Sequence, residues 1–416
     1  MKSTSFIYPI PEHNWIEKLC RWANTNFDFF AFTNGNSHQY RESPFPTRFF
    51  IGNEQLKEKD IWSAEADFRK VGVIGYDFKN HLEKLQSNNP AFFDLPELCF
   101  FKPSITIEFD EKNIFSDVEL TEEFWTDVEK STPQYAENTS CQVTPQISKE
   151  EYLKTVKAIQ SHIVEGNTYE CNFCQAYSGS FEKWDPIGAY FKLNRLSAMP
   201  FSALFKAKSQ WLVSASPERY LKRSGSKIIA QPIKGTIQRG QSDTEDNSNK
   251  DTLAHSEKEQ AENLMITDLM RNDLSKVSKT GTISVHELFG IYALPRVFQM
   301  ISTVVSELKE EVGFPDIIQA TFPMGSMTGA PKIRTMEIID NLENFKRGWF
   351  SGAFGVIEEN GDFDFSVIIR SIIADLEVKK LYFGVGSAIT YDADAAQEYD
   401  ECGLKAHAIL EVLSGK

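Results

Sequence analysis

The order of the strand candidates in the C-terminal two thirds of the chain constrains the fold more than any other feature. These candidates follow one another in hairpin-like succession, with turn signals at Gly225 and at Gly361-Asp362, and do not alternate regularly with helices. Regular alternation is typical of parallel sheets, whereas hairpin succession is typical of antiparallel sheets. We therefore expect an α+β fold with antiparallel sheets. The strand candidates lie at residues 169–176, 211–214, 220–223, 227–232, 350–358, 363–375 and 379–386.

The helix candidates between these strands carry recognisable start signals. Ser148-Lys-Glu-Glu151 is a capping box, in which the first and fourth residues satisfy each other's backbone N–H groups, and it opens a helix to about Val164. The polar run at 241–250 is predicted to be a mobile loop. Further helix candidates lie at residues 185–196, 256–274, 295–308, 313–320, 331–342 and 395–414.

The composition excludes several classes of function. The 416 residues carry a formal net charge of -15, which argues against a general nucleic-acid surface. An anionic ligand must therefore be met by a few basic groups, by helix N-termini or by a metal. No apolar run approaches the roughly 20 residues of a membrane span, and the N-terminus lacks the apolar core of a signal peptide. We expect a cytoplasmic protein with neither nucleic acid nor membrane as a partner.

The cysteines agree with a reducing compartment, because six of them in so long a chain form no disulfide framework. Cys171-Asn-Phe-Cys174 has the spacing of a redox motif or half a zinc site, but no second pair exists, so we favour ordinary strand cysteines. Between residues 130 and 146 the composition turns to Ser, Thr, Pro, Asn and Gln, which indicates a linker or surface crossing. We divide the chain into an N-terminal region, 1–140, that contributes to the fold, and a catalytic domain, 141–416.

Lys234 lies in Gln231-Pro-Ile-Lys-Gly-Thr236, between a rigid proline and a flexible glycine. An amine held in this way can be directed at a ligand as a nucleophile. A nucleophilic lysine must be partly deprotonated, so burial or a neighbouring cation is expected to lower its pKa. The alternative is a surface or salt-bridge lysine.

Two pairs of glutamates occur at helical spacing. Glu259 and Glu262 lie on one helix candidate and Glu398 and Glu401 on another, so each pair projects from one face. If the two faces meet, four carboxylates suit Mg²⁺, which takes oxygen ligands. Each pair also has a purely structural interpretation, because Ser256-x-x-Glu259 is a capping box and Glu401 with Lys405 is an i,i+4 pair.

Further candidates are suited to binding an anion. The loop Gly325-Ser-Met-Thr-Gly-Ala-Pro-Lys332 opens a helix, and Gly384-Val-Gly386 follows a strand, so both expose backbone N–H groups. Arg370 lies in a mostly apolar strand candidate, where its guanidinium requires either a substrate carboxylate or a structural salt bridge. Glu218 follows Ser214-Ala-Ser-Pro217 in a short turn between strands.

Together these segments resemble the chorismate-utilising enzymes, which include anthranilate synthase component I, aminodeoxychorismate synthase component I, isochorismate synthase and salicylate synthase. The resemblance runs from about Ser148 to the C-terminus, and it implies an anthranilate synthase component I-like fold of antiparallel β-sheets packed in a sandwich with helices outside. It rests on Ser216-Pro-Glu-Arg219, Pro232-Ile-Lys-Gly-Thr236, Ala261-Glu-Asn-Leu-Met-Ile-Thr-Asp-Leu-Met-Arg-Asn-Asp273, Gly325–Lys332, Gly384-Val-Gly386 and Glu398-x-x-Glu401-x-x-x-Lys405.

Within that family, Lys234 resembles the lysine of aminodeoxychorismate synthases, whereas anthranilate synthases carry Ala there. Isochorismate and salicylate synthases use a water-activating lysine at the position that here holds Glu170. The resemblance thus implies that chorismate and ammonia form 4-amino-4-deoxychorismate, on the way to 4-aminobenzoate and folate. The alternatives are an anthranilate synthase component I and a non-catalytic chorismate-binding subunit.

The resemblance also assigns roles, residue by residue. Lys234 attacks C2 of chorismate, and Glu218 is the general acid/base at the C4 hydroxyl. Glu262 and Glu401 bind Mg²⁺ directly, and Glu259 and Glu398 hold its waters. The residues that orient the substrate are Thr328, Gly329, Arg370, Gly386 and Lys405.

The remaining expectations concern partners and departures from the family. No glutaminase nucleophile is found, so a separate glutamine amidotransferase subunit, or free ammonium, supplies the ammonia. Gln299 stands where the family usually has a histidine. No Leu-Leu-Glu-Ser-like motif of tryptophan-binding relatives occurs near the N-terminus, which argues against feedback by tryptophan.

Overall fold

The computed structural model describes residues 6–11, 14–64, 66–131 and 141–415. The strands are, in chain order, β1 Phe6–Pro9, β2 Phe29–Asn34, β3 Arg48–Gly52, β4 Glu54–Gln55, β5 Lys70–Ile74, β6 Leu98–Lys102, β7 Ile105–Phe109, β8 Asn113–Ser116, β9 Val143–Pro145, β10 Glu170–Ser180, β11 Phe201–Ala207, β12 Gln210–Ser216, β13 Arg219–Ser224, β14 Lys227–Gln231, β15 Ile233–Gln238, β16 Ser284–Ala293, β17 Val297–Glu307, β18 Gly329–Ala330, β19 Ala353–Ile357, β20 Phe363–Val367, β21 Ser371–Asp375 and β22 Lys380–Ile389. The helices are α1 Trp15–Asn26, α2 Glu58–Trp62, α3 Lys79–Leu82, α4 Glu122–Lys130, α5 Lys149–Val164, α6 Pro186–Leu196, α7 Asp243–Ala254, α8 Glu257–Ser275, α9 Phe314–Thr321, α10 Lys332–Leu342 and α11 Ala395–Leu413.

The strands form two antiparallel sheets. The first has 12 strands in the order β1-β8-β7-β3-β2-β11-β12-β21-β22-β10-β18, with β9 paired to β10. The second has 10 strands in the order β15-β17-β14-β13-β20-β19-β5-β6-β4, with β16 paired to β17. Strands from the N-terminal region, such as β2 and β5, pair directly with strands from the C-terminal part. The predicted α+β class with antiparallel sheets is confirmed.

A large apolar core fills the space between the two sheets. Phe205 of the first sheet lies 5.7 Å, between ring centroids, from Phe354 of the second, and Phe29 and Phe101 stack across the same layer at 5.6 Å. Each fully buried phenylalanine stabilises the fold by about 1.5–3 kcal/mol. On its other face the first sheet packs against α1, α5, α6 and α11, which completes the sandwich with helices outside.

Two sequence predictions about secondary structure are wrong. Residues 295–308, predicted to be a helix, form β17, whose β-branched Ile301 and Val304 suit a strand paired on both sides. Residues 241–250, predicted to be a mobile loop, lie largely in α7, which Ser242 caps by accepting a hydrogen bond from the Glu245 N–H at 3.3 Å.

A third difference concerns the strand predicted at 363–375. It consists of two strands, β20 in the second sheet and β21 in the first, and the chain crosses between the sheets at residues 368–370. Arg370 lies in this crossing with a left-handed backbone, φ 51°. The crossing places its side chain beside the cavity described below.

Other expectations have mixed outcomes. The capping box at Ser148 is confirmed, and Cys171 and Cys174 are buried free thiols on β10. The domain boundary at 140/141 stays a prediction, because it adjoins residues 132–140, which lie outside the described part of the chain. Among the described residues, no helix combines the length and the apolarity that crossing a membrane requires.

Candidate active site

A cavity opens where the ends of several strands face α8 and α11. Nine of the eleven residues assigned from the sequence line it, and they come from six separate segments of the chain. The nine are Glu218, Lys234, Glu259, Glu262, Arg370, Gly386, Glu398, Glu401 and Lys405. The fold therefore gathers side chains that are far apart in sequence into one site.

Lys234 projects into this cavity from an irregular part of β15. Its pairing with β17 shifts register between Ile233 and Thr236, and Gly235 has a left-handed backbone, φ 92°. A β-bulge of this kind redirects a side chain out of the regular strand pattern. Lys234 Nζ donates a hydrogen bond to Glu170 Oε1 at 2.7 Å, and both side chains are shielded from solvent.

The expected lowering of the Lys234 pKa is wrong for the protein without ligands. Burial by itself would lower the pKa of the Lys234 amine, but the carboxylates of Glu170, Glu262 and Glu218 outweigh burial and raise it. Lys234 is therefore an ammonium group in the empty cavity at neutral pH. The sequence interpretation considered a neighbouring cation, whereas the neighbours are anions.

Glu218 lies in the short connection between β12 and β13. Its main-chain carbonyl accepts a hydrogen bond from the Val367 N–H at 3.0 Å, which fixes the connection against the crossing after β20. Burial raises the pKa of the Glu218 carboxyl to about 7, although Ser326 and the charge of Lys234 partly oppose the shift. A carboxyl with a pKa near neutrality can both donate and accept a proton at physiological pH.

Arg370 is a half-buried cation without a counter-ion among the described residues. No carboxylate in that part of the chain lies within salt-bridge distance of its guanidinium, and Nη1 lies 3.9 Å from Met199 Sδ. Burial lowers the pKa of Arg370 to about 10, so the group still carries its charge at neutral pH. Among the described residues, Arg370 therefore does not form the structural salt bridge that was its alternative role. An unpaired cation lining a cavity is suited to binding an anion.

The two glutamate pairs do meet across the cavity. Burial raises the pKa of Glu262 to about 8, and one of its oxygens, Oε1, is buried without a hydrogen-bond partner. Burial, reinforced by the charge of Glu401, also raises the pKa of Glu259. Lys258 Nζ donates to Glu398 Oε1 at 3.1 Å. Lys258 Nζ also lies 3.9 Å from Glu262 Oε1. The all-oxygen donor set of the cluster fits a hard divalent cation.

The structural interpretations of these glutamates are confirmed for the Glu401–Lys405 pair and for only the Ser256 half of the capping box. Ser256 Oγ accepts a hydrogen bond from the Glu259 N–H at 3.4 Å, and Glu401 pairs with Lys405 at 2.6 Å. As the side chains stand in the described ranges, no group of three or more acidic, His or Cys side chains is arranged to hold a metal ion. The metal assignment therefore stays a prediction.

Among the remaining substrate candidates, Gly386 and Lys405 line the cavity and contact each other. Lys405 Nζ donates to the carbonyl oxygen of Gly386 at 2.8 Å. A side chain at Gly386 would place its Cβ 2.4 Å from Cys174 Sγ, so only glycine fits there. β22 can approach Cys174 this closely because residue 386 has no side chain.

Thr328 and Gly329 do not line the cavity. The Thr328 hydroxyl donates to the carbonyl of Met324 at 3.1 Å, and the Thr328 carbonyl accepts from the Asn172 N–H at 2.8 Å. Gly329 pairs with β10 through Cys171. These two residues hold their loop against β10, and the neighbouring Ser326 and Met327 face the cavity instead.

Sequence reasoning missed several polar groups at the site. Glu170, which bonds to Lys234, was noted only as a departure from relatives, and Asn172, Lys258 and Ser326 were assigned no role. Buried polar atoms at the site that have no hydrogen-bond partner include Glu170 Oε2, Glu262 Oε1 and Gln299 Oε1. Buried polar groups are rarely left unpaired, so these atoms indicate a cavity that receives a polar ligand.

Comparisons with known proteins agree with this site. A model of the chorismate binding enzyme family matches residues 30–411. Aminodeoxychorismate synthase component 1 of Klebsiella aerogenes is 33% identical over 348 residues, which cover 82% of this chain and 76% of that protein. Anthranilate synthase component 1 of Saccharolobus solfataricus is 31% identical over 364 residues, which cover 86% of this chain and 84% of that protein.

A solved structure supports the fold. Anthranilate synthase component I from Streptococcus pneumoniae TIGR4 matches with a TM-score of 0.74 at 22% identity, and the match covers 99% of this chain and 93% of that one. The expected anthranilate synthase component I-like fold is confirmed. Because the family model spans most of the sequence and the family's motifs converge on one cavity, the chain belongs to the chorismate binding enzymes.

Proposed function

We propose that this chain converts chorismate and ammonia to 4-amino-4-deoxychorismate through a covalent intermediate on Lys234. The observation that carries the proposal is a buried lysine amine inside the cavity, hydrogen-bonded to Glu170, with a carboxyl of near-neutral pKa, Glu218, on the same wall. A nucleophile beside a proton donor is what a stepwise substitution requires. The names of relatives such as the Klebsiella aerogenes protein support the same activity.

The cavity provides positive charge where a dicarboxylate needs it. Chorismate carries two carboxylates, and Arg370 and Lys405 are the cations available to them. Arg370 has no protein counter-ion to give up, so a substrate carboxylate gains its full interaction. Gln299 Oε1, which has no hydrogen-bond partner, can accept a hydrogen bond from a substrate hydroxyl, and the Ser326 hydroxyl can donate one to a hydroxyl or ether oxygen.

The proposed chemistry has two substitutions. In the first, the amine of Lys234 attacks C2, both ring double bonds shift, and the C4 hydroxyl leaves as water with a proton from Glu218. In the second, ammonia attacks C4, both double bonds shift back, and Lys234 leaves C2. Glu218 then accepts a proton from the new C4 ammonium, so the acid of the first step is restored in the second.

Mg²⁺ is proposed as the cofactor, with Glu262 and Glu401 as direct ligands and Glu259 and Glu398 holding its waters. When bound, the ion would neutralise the ring carboxylate of the substrate. Its position next to Glu262 is supported by the buried unpartnered oxygen of that side chain. The four carboxylates that would hold the ion line the cavity from α8 and α11.

Ammonia is proposed to come from a separate glutamine amidotransferase subunit, which agrees with the name component 1 of the relatives. The product belongs to 4-aminobenzoate and folate synthesis, and we propose a cytoplasmic location. The anthranilate synthase of Saccharolobus solfataricus, at 31% identity, supports an alternative in which the chain forms anthranilate. Lys234 argues against that alternative, because anthranilate formation does not require a nucleophile of the protein at this position.

One experiment distinguishes these activities. The purified chain is incubated with chorismate, Mg²⁺ and ammonium chloride, and the products are identified by mass spectrometry and fluorescence. A product that a 4-amino-4-deoxychorismate lyase converts to 4-aminobenzoate supports the proposal. Anthranilate as the sole product supports the alternative, and tight chorismate binding without turnover supports a non-catalytic subunit.

A further inference from the structure

Glu170 forms an ion pair with Lys234 behind the wall of the cavity. Lys234 Nζ lies 2.7 Å from Glu170 Oε1, and Glu170 is completely buried. We propose that Glu170 is the base that removes the proton from Lys234 before Lys234 attacks the substrate. This inference rests on the proposed function and adds to it a catalytic residue that makes the nucleophile competent.

The need for a base follows from the charges around Lys234. An ammonium group has no lone pair and cannot form a bond to carbon. The surrounding carboxylates raise the pKa of Lys234, so spontaneous loss of the proton to water is rare at neutral pH. The same anions that hold Lys234 in place therefore keep it inactive unless one of them accepts its proton.

Geometry selects Glu170 among these anions. Within the described part of the chain, Glu170 is the carboxylate that lies within salt-bridge distance of Lys234 Nζ and accepts its hydrogen bond. Glu218 is committed to the C4 hydroxyl in the proposed function, where it must carry a proton before the first substitution. Proton transfer along an existing hydrogen bond needs no movement of heavy atoms.

Glu170 is held in a fixed position inside the protein. Its second oxygen, Oε2, is buried and has no hydrogen-bond partner. Its backbone is fixed, because the Glu170 carbonyl accepts from Thr168 Oγ1 at 2.8 Å and the residue pairs with Ala330 of β18. The carboxyl is thus held in place on a rigid strand.

The protons balance over the catalytic cycle. The Lys234 ammonium transfers one proton to Glu170, which leaves an amine and a carboxylic acid. The amine lone pair forms the N–C2 bond while the C4–O bond breaks, and Glu218 supplies the proton of the departing water. When ammonia attacks C4, the C2–N bond breaks and Lys234 leaves as an amine. Glu170 then returns its proton to Lys234, and the starting ion pair is restored.

The test uses Glu170→Gln, which keeps a hydrogen-bond acceptor for Lys234 but cannot accept its proton. Wild type and variant are mixed with chorismate and Mg²⁺ without ammonia, and the covalent adduct at Lys234 is followed by intact mass spectrometry at successive times. We expect adduct formation to slow by about 100-fold or more, the range of a general base. Chorismate affinity, measured by calorimetry, should change little, because Glu170 is not proposed to bind substrate.

A second variant separates a base from a structural residue. Glu170→Ala opens a space beside Lys234 that formate can enter, and formate should restore adduct formation in this variant. Glu343→Ala is the matched control, because Glu343 is also a buried carboxylate in an ion pair, with Arg347, and lies away from Lys234. Formate should not accelerate adduct formation in the Glu343 variant.

The outcomes are distinct. If wild type forms neither an adduct nor a 4-amino product, the proposed function fails and the role of Glu170 fails with it. If wild type forms the adduct and Glu170→Gln forms it equally fast, the function stands and Glu170 is not the base. Should Glu170→Gln fail to fold, judged by thermal unfolding, the formate experiment decides: restoration supports the role and its absence overturns it.

Discussion

Lys405 Nζ lies 2.6 Å from Glu401 Oε1, one helical turn away on α11. Burial acts to raise the pKa of Glu401, but the charge and hydrogen bond of Lys405, together with the charges of Lys234 and Lys258, outweigh burial and lower the pKa, so this carboxylate is ionised. Glu262, on the facing helix, has a longer contact of 3.9 Å with Lys258 Nζ, and burial raises its pKa to about 8. The two proposed direct ligands of Mg²⁺ thus differ in protonation. Glu401 is already ionised, whereas Glu262 must first lose a proton.

The first prediction concerns the metal. Glu262→Gln and Glu401→Gln should each raise the Mg²⁺ concentration needed for half-maximal activity by about 10-fold or more, whereas Glu259→Gln should raise it far less, since a direct ligand is harder to replace than a water-mediated contact. Mg²⁺ titration of chorismate turnover is the measurement. An unchanged Mg²⁺ requirement in both direct-ligand variants would contradict the assignment.

The second prediction concerns the source of ammonia. The isolated chain should use ammonium salts but not glutamine, because no glutaminase nucleophile was recognised in the sequence. Product formation is compared with equal concentrations of ammonium chloride and glutamine, after removal of contaminating ammonia. Glutamine-dependent product from the pure chain would show that an amidotransferase site has been overlooked.

The third prediction concerns Arg370. Arg370→Met removes a half-buried cation that has no counter-ion in the described part of the chain, so the variant should be as stable as wild type or more stable, while KM for chorismate rises by about 10-fold or more. Thermal unfolding and steady-state kinetics measure the two effects. Arg219→Met is the matched control, because buried Arg219 is bonded to Asp364 at 2.8 Å and its loss should destabilise the fold. A destabilised Arg370→Met would instead indicate a structural role.

The fourth prediction concerns pH. The pKa of Glu218, about 7 in the folded protein, lies above its ordinary value of 4.5. The folded state therefore binds the proton more tightly, and this contribution is fully present below pH 4.5 and is lost as pH rises through about 7. The difference in unfolding free energy between pH 5 and pH 8 should shrink in Glu218→Gln, by up to about 3 kcal/mol. Denaturant unfolding of both proteins at the two pH values measures it, and an equal pH dependence would show that Glu218 titrates normally.

Local sequence signals predicted much of the site. Glu259 with Glu262, and Glu398 with Glu401, lie on helices whose period and capping residues are visible in the sequence, so their shared faces could be predicted. The Pro-Ile-Lys-Gly segment around Lys234 likewise marked a special backbone. What the sequence could not show was which carboxylate meets Lys234, because Glu170 and Lys234 belong to different sheets and only tertiary packing brings them together.

The wrong secondary-structure predictions also arise because tertiary packing is not visible in the local sequence. Ile368 and Ile369 continue an apolar strand pattern, and nothing local indicates that the chain changes sheets there and places Arg370 in a left-handed conformation. The β-branched residues of β17 compete with an apolar spacing that also suits a helix. Pairing with β14, β15 and β16 decides the matter, and those pairings are long-range.

The last prediction tests Lys234 itself. Lys234→Ala should abolish the covalent adduct that chorismate leaves in the absence of ammonia, and should remove most 4-amino product, while the fold stays intact. Lys332→Ala is the control, since Lys332 is also a shielded lysine in an ion pair, with Asp273, but lies outside the cavity lining. The Lys332→Ala variant should lose stability and keep the adduct.

Because anthranilate synthases carry Ala at the position of Lys234, the Lys234→Ala variant also opens a route by which ammonia or water reaches C2 directly. Traces of anthranilate or a 2-substituted product are therefore expected. Intact mass, peptide mapping and product analysis decide the question. If Lys234→Ala keeps nearly all of the 4-amino product, the covalent role is wrong and the distinction from anthranilate synthase loses its main support.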